Sequence, residues 1–589
     1  MNGNTNNISL IGLSQHEEMT GRKVPHLRYI KHVFFILKEP VQEVGGHWQD
    51  LYQKVKSFNN STELSDSVHD VLQAWIENKV SPLKKSVHSL RQLTNKSLVE
   101  AILEGWLSTD IHDRQGNPIS LNGQRRGVLL ATMSHIIRKV ETTMYVNILK
   151  KASSNDLEKL GLDESLKKLT VDLLTTSLKT DPLFVRFLTY TQVSSTKTKQ
   201  TTTETLYITE NEPYSIRTFF PRETKLLARH FQKLAQEGGD WVKKPGGGDF
   251  QKYLNVVGQY YAAIDHQESS RLRGEANALY KQCLKAGFPI ILTGDNDEIM
   301  RSPNRDPEIK VSVRTREAKE EENRWEKMKH AFASSLEDIE AQNQKASVTD
   351  QLIIGSVVFG SYGINSIFST VAQENPTIQI FLDTQARAYD RGFPNEWLKK
   401  YISGTAKAFI KLSDSQATGL MECMSRTNTV LHELSHWVFG EDSKETLRFE
   451  NGPTNRTMQE VKAETLYRAL IPQMLQKEAL EGTLEQWAMG TCATSLQILK
   501  DNSGDWNDDY FLGAVFSLND LLDKDIVTIV NNQLHIQDVQ KYFVTMQEQA
   551  KEIVALHQNS EMNETKAKEW IKQRCQPNDA LKKILKMIE

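Results

Sequence analysis

The chain has 589 residues, 39% hydrophobic and 25% charged, which suits a folded protein of roughly two to four domains or one large two-lobed enzyme and excludes a disordered chain. Its 72 Lys and Arg against 75 Asp and Glu leave a formal net charge of −3, so no broad field favours a nucleic-acid or membrane surface as a partner. The four cysteines, Cys283, Cys423, Cys492 and Cys575, lack Cys-x-x-Cys spacing and read as reduced, mostly buried thiols of a reducing compartment.

Residues 1–25 read as a flexible tail, polar at the start and with no basic segment leading into an apolar run, so the expected location is the cytoplasm. Residues 26–193 predict a helical lobe, with Tyr29, Val33, Phe34 and Leu37 on one apolar stripe and Leu72, Trp75 and Ile76 on another, interrupted by a turn-rich break near Ile119 and Leu121. His47, His69, His88, His112 and His135 fall in this lobe without metal-ligand spacing. Residues 194–204 are rich in Thr, Ser and Lys and read as a linker.

Residues 205–345 predict a mixed α/β region. Tyr214 to Phe220 reads as extended, and Pro221 opens a helix to about Glu237. Lys243-Lys244-Pro245-Gly246-Gly247-Gly248 reads as a turn and not as a phosphate loop, because its lysines precede the glycines and Asp249 follows them. Gln251 to Cys283 is helical; Pro289 to Thr293 is a short buried strand; Ile309, Val311 and Val313 alternate as a half-buried strand. A helix then carries Trp325, Met328, Phe332, Leu336 and Ile339 on one core-facing stripe.

Residues 346–589 form the last expected region, mainly helical. Gln351 to Phe368 is apolar but broken by Ser356, Ser361, Asn365 and glycines, which favours a buried strand-turn-strand over a membrane span. Ile378 to Leu382 is another strand, Asn531-Asn532 marks a hairpin within Ile529 to Ile536, and Val539, Tyr542, Phe543, Met546 and Ile553 form a late core stripe. Together these elements predict an α+β, predominantly helical protein with a small sheet among helices, not a repeating βαβ fold.

The chemistry concentrates between Thr427 and Glu464. In His432-Glu433-Leu434-Ser435-His436 on a helix, the i, i+4 spacing lets both imidazoles face one metal ion, with Glu433 about 100° round the axis beside the open side. Leu431, Leu434 and Val438 turn the other face to the core, and Gly440 is a natural residue to end the helix. A site of this kind needs a third protein ligand. Glu460 and Glu464 qualify, one turn apart on a helix from about Asn455 to Ile471 with Tyr467 close by. Two like charges on such a face repel, and a divalent cation with its imidazoles reverses that sign.

His-Glu-Leu-Ser-His, followed 23 residues after His436 by Gln459-Glu460-Val461-Lys462-Ala463-Glu464, resembles the dipeptidyl-peptidase III family, especially its shorter relatives with a five-residue His-Glu-x-x-His. Asp306 to Val313 extends the resemblance weakly to a strand that lines that family's substrate cleft. The resemblance implies a two-lobed zinc metallopeptidase with a cleft between the lobes. It implies one Zn²⁺ per chain on His432, His436 and Glu460, with Glu464 hydrogen-bonded to a ligand histidine and so fixing its tautomer. The chain departs from the family at Trp437 to Asp442 where glycines are usual, at Arg314 in place of a glycine, and at Gln459 in place of an acid.

The expected activity is zinc-dependent hydrolysis of short peptides, as an exopeptidase, with Glu433 as the base that takes a proton from water. Tyr467, Tyr510 and His535 are candidates to donate to the resulting oxyanion. The rivals are a catalytically impaired relative that binds a peptide or protein partner, motivated by the changed residues after His436 and at Arg314, and a zinc hydrolase of non-peptide amides.

Overall fold

The computed structural model of the chain describes residues 74, 142–178, 205–209, 212–215, 221–264, 266–293, 310–314, 316–349, 357–358, 367–372, 375–382, 424, 427–439, 453–501, 508–531 and 533–588. The expected tail, linker and first part of the helical lobe, with its histidines, lie outside these residues, as do Cys423 and Gly440. The protein is α+β and predominantly helical. It divides into two compact units, residues 1–319 with 356–366, and residues 320–355 with 367–589. Among the described residues no helix is long and apolar enough to cross a membrane.

In the first unit, residues 142–151 and 164–178 are helical and flank α1 (Ser154–Leu160), which Ser153 and Asp156 open with a reciprocal capping box. A hairpin of β1 (Thr205–Thr209) and β2 (Glu212–Ser215) is followed by α2 (Pro221–Glu237), α3 (Gly247–Ala262) and α4 (His266–Lys285). The helical stretch expected over Gln251 to Cys283 is shared by two helices, α3 ending at Ala262 and α4 beginning at His266. Their core is aromatic: Phe250 stacks on Phe288 at 4.6 Å and Tyr253 on Tyr280 at 5.1 Å between ring centroids. The lysine-glycine run is a turn, as its order predicts. Gly246 at φ 74° opens α3, and a Cβ on Gly247 would meet the Trp241 carbonyl at 2.1 Å. Lys243 and Lys244 pair with Asp240 and Asp163.

The predicted strands Pro289 to Thr293 and Ile309 to Val313 form β3 (Ile290–Thr293) and β4 (Lys310–Arg314), antiparallel, with Val311 opposite Leu292. The alternation predicts one wet face on β4, but Ser312 and Arg314 are buried along with Val311 and Val313. Arg314 manages this by donating from Nη1 to the Leu284 carbonyl at 3.3 Å. The short β5 (Val357–Val358) completes this sheet on β4.

The second unit takes in α5 (Arg316–Ser335) from Glu320 onward, with all five predicted stripe residues from Trp325 to Ile339 buried. The hairpin of β6 (Ile367–Ala372) and β7 (Asn375–Leu382) follows. The expected strand-turn-strand over Gln351 to Phe368 thus splits, because β5 pairs with β4 whereas β6 pairs with β7 and lies against the next helix. The remaining helices are α6 (Thr427–His436), α7 (Pro453–Gln476), α8 (Leu484–Asp501), α9 (Asp509–Asp523), α10 (Val539–Gln558), α11 (Glu564–Arg574) and α12 (Asp579–Ile588). Between α9 and α10 stands the expected hairpin, β8 (Val527–Val530) and β9 (Gln533–Ile536), with Asn531 at φ 51° in its turn.

α7 is the axis of this unit, packed on α6, α9 and α10. Its sequence shows no single apolar stripe because it is buried nearly all round: Met458, Val461, Leu466, Leu470 and Met474 are all fully covered. An ion-pair knot closes the far side, where Arg574 of α11 donates to Asp520 of α9 at 2.8 Å and to Glu552 of α10 at 2.8 Å. Burial opposes ionisation of Asp520, but its hydrogen bonds from Arg574 and Gln549 hold its carboxyl below the usual 3.8. A carboxyl so lowered stabilises the fold above its unfolded-state pKa and stops doing so as pH falls through the folded value. Arg574→Met is expected to destabilise the protein by about 1–3 kcal/mol near neutral pH. In urea melts the gap between parent and variant should close as pH drops below about 4; a gap that stays constant would rule out the ion pairs as its cause.

Candidate metal centre

Two neighbouring helices make the site. On α6 the predicted core face holds for Leu431 and Leu434, both fully buried, and Val438 in the turn after the helix is fully buried as well. That burial fixes the rotation of the helix and turns His432 and His436 together toward α7. Their rings stand 4.9 Å apart between centroids, with the two Nε2 atoms 3.2 Å apart. Glu460 of α7 brings Oε2 to 3.4 Å from His432 Nε2 and 3.8 Å from His436 Nε2. This carboxylate oxygen is buried and makes no hydrogen bond, although it lies within reach of both rings. Glu433 is 93% covered on the same turn of α6, and its field acts on His432 and on Tyr510.

Glu464, one turn further along α7, stands behind His432. Its Oε1 accepts from His432 Nδ1 at 2.9 Å. Its Oε2 accepts a close bond from Arg468 Nη2 and a longer one from the Tyr467 hydroxyl at 3.4 Å. Burial alone would raise the Glu464 pKa, but Arg468 and His432 outweigh it and bring the carboxyl down to about 2. An ionised Glu464 accepts from Nδ1–H, and with that proton held there the neutral tautomer of His432 is the one whose Nε2 lone pair faces Glu460 and His436. Burial also opposes charge on His432, yet the neighbouring carboxylates of Glu460 and Glu464 hold its pKa well above the usual imidazole range. His436 moves the other way, held well below that range by burial and then by the charges on His432 and Lys462.

Two further residues of the site escape a reading of motifs. Arg468, only 1% exposed, is fixed by Ser495 Oγ at 2.7 Å and by the Tyr467 hydroxyl at 3.2 Å. Its signal in the sequence is the i, i+4 step from Glu464. Lys462, wholly buried, donates from Nζ to the carbonyls of His436 and Val438, both at 2.8 Å. These are the orphan acceptors at the end of α6. The helix therefore stops at His436 under a lysine from α7 and turns through Phe439 at φ 77°, and it does not need Gly440 as its end. Burial lowers the Lys462 pKa to about 7, with Glu460 opposing.

The three oxyanion candidates separate. Tyr467 is committed to Glu464 and Arg468 inside the protein. His535 is exposed on β9, beyond the opposite end of α9 from Tyr510 and so roughly 20 Å along that helix at 1.5 Å per residue. Tyr510, in the first turn of α9, has its ring 6.3 Å from that of His432 at 26° between planes.

His432, His436 and Glu460 form a cluster that can hold a metal ion. The donor set and its spacing fit a tetrahedral cation. Ligands at about 2.0–2.1 Å from a zinc ion are separated by about 3.3 Å, against the 3.2, 3.4 and 3.8 Å found here. The unbonded Oε2 of Glu460 is the further sign, since a buried carboxylate oxygen ordinarily has a partner.

No protein-family model matches the sequence, and no curated protein sequence is similar to it. Among solved structures, the chain is similar to that of a dipeptidyl-peptidase III from Caldithrix abyssi, with a TM-score of 0.47 and 12% identity over 83% of this chain and 97% of that one. It is also similar to a dipeptidyl-peptidase III from Corallococcus sp. strain EGB, with a TM-score of 0.44 and 11% identity over 64% of this chain and 68% of that one.

The Lys462 clasp gives a local test. Lys462→Met removes two donors and, at the same time, the cost of a buried charge, so the net loss of stability is expected to be small, about 1–3 kcal/mol. Hydrogen exchange over residues 432–439 should accelerate roughly tenfold or more, against little change in α10. Unchanged exchange there would mean that the lysine does not hold the end of α6.

Proposed function

We propose that the chain is a zinc-dependent peptidase that cleaves short peptides from one end. The observation that carries this reading is the convergence of His432 Nε2, His436 Nε2 and Glu460 Oε2 beside a buried acid, Glu433, on the same helix. His432, His436 and Glu460 are the ligands in this reading, and Glu464 is the acceptor that fixes the His432 tautomer. Zinc, when bound, supplies a Lewis acid for a carbonyl and makes water acidic enough to react at neutral pH.

Glu433 takes one proton from the attacking water as its oxygen bonds to the carbonyl carbon, and passes that proton to the amine nitrogen as the C–N bond breaks. Glu464, ionised under Arg468, holds the Nδ1–H of His432 and so assigns Nε2 as the atom that would bind the metal. Removal of dipeptides from the N-terminus is the finer specificity, drawn from the motif resemblance. The changed residues after His436 and at Arg314 favour one alternative, a protein that keeps the metal and binds peptides without cutting them.

Elemental analysis is expected to find about one zinc per chain. Glu433→Gln should keep that zinc and lose hydrolysis of dipeptidyl-arylamides by a factor of about 10² or more. Glu464→Ala should weaken zinc binding about 10- to 100-fold in competition with a chromogenic chelator. Hydrolysis by Glu433→Gln at the parent rate would remove Glu433 from its role. Peptide binding by calorimetry with no turnover over hours would replace the peptidase with the binder.

A further inference from the structure

An acyl-transfer site needs more than a base and an electrophile. The carbonyl oxygen gains a full negative charge in the tetrahedral state, and a donor already aimed at that position lowers the barrier. Most donors around the cluster are already engaged. Arg468 serves Glu464, Tyr467 and Ser495; Lys462 serves two carbonyls at the end of α6; Tyr467 serves Glu464.

Tyr510 is different. Its ring lies against that of His432, at 6.3 Å and 26°, while 44% of the residue is open to solvent. It thus borders a candidate ligand while part of it stays open to solvent. The turn that carries it is firmly held. Asp508 accepts from the Phe511 amide at 2.9 Å and caps α9, and Asp509 accepts from Thr457 Oγ1 of α7 at 2.5 Å, with Arg456 3.9 Å away. Thr457 precedes Glu460 by one helical turn, so the helix that supplies the carboxylate also positions the phenol.

Resting on the peptidase reading, we propose that the Tyr510 hydroxyl donates to the oxyanion of the tetrahedral state, which makes it a catalytic residue of this chain. A phenol is protonated at neutral pH in any case.

The test compares the parent, Tyr510→Phe and Glu433→Gln, each with its zinc content measured. Two probes are titrated by calorimetry: a phosphinic dipeptide analogue, whose tetrahedral phosphorus carries an anionic oxygen, and the product dipeptide. Tyr510→Phe is expected to keep about one zinc and a KM within about threefold of the parent, with kcat down about 10²- to 10³-fold. Its affinity for the phosphinic analogue should fall at least tenfold, with affinity for the product dipeptide unchanged.

A Tyr510→Phe variant with parental kcat and parental analogue affinity overturns the proposal while leaving the peptidase reading intact, provided Glu433→Gln is inactive. Equal losses for analogue and product also overturn it, since they mark general binding. If the parent binds the analogue but cleaves nothing, the peptidase reading fails and the catalytic role of Tyr510 fails with it. A parent that binds neither probe overturns both.

Discussion

The hydrogen bond between His432 and Glu464 is the contact on which the candidate centre turns. It joins the two helices that carry every residue of the metal cluster, and it is buried, so its cost when broken would be high. Arg468 anchors it from behind and Lys462 grips the end of α6 two residues beyond Glu460. The relative slide and rotation of the two helices are thus pinned at the middle and at one end. Three nitrogen and oxygen atoms can then meet within a few ångströms although 28 residues separate His432 from Glu460 in the chain.

Holding three carboxylates so close together, with Glu433 and Glu464 buried and Glu460 partly so, would be prohibitive alone. Glu433, Glu460 and Glu464 are answered within the same few turns by Lys462, Arg468 and a His432 whose pKa is raised. The groups are fixed by hydrogen bonds and not by mutual attraction in solvent, and salt should weaken the arrangement little. Glu460 is the exception. It is the carboxylate with a buried oxygen lacking a hydrogen bond, and it is the one that faces both imidazoles.

Much of this was legible in the sequence, for reasons that are local. The i, i+4 spacings of His432 with His436 and of Glu460 with Glu464 are properties of one helix each, and Asn531-Asn532 marked its hairpin without help from the rest of the chain. What stayed hidden depends on which helix lies beside which. Lys462 looked like an ordinary helix lysine until α6 ended against it. Tyr510 was one of three equal candidates until α9 set it beside His432. β4 carried an alternation that predicts a wet face, and only the tertiary setting buries Ser312 and Arg314. α7 lacked a stripe because a helix surrounded by partners does not need one.

The lysine clasp has a consequence for how this region can vary. A helix that must cap itself constrains the residues that follow it, usually in favour of glycine. Here the terminal acceptors are met from another helix, which leaves Phe439 free to adopt a left-handed turn, stack on His557 and take a bond from its amide to Gln344. Substitution after the second histidine is thereby uncoupled from the geometry of the histidines themselves. The bulky run Trp437-Val438-Phe439 accordingly follows the end of α6 with no glycine among its three residues.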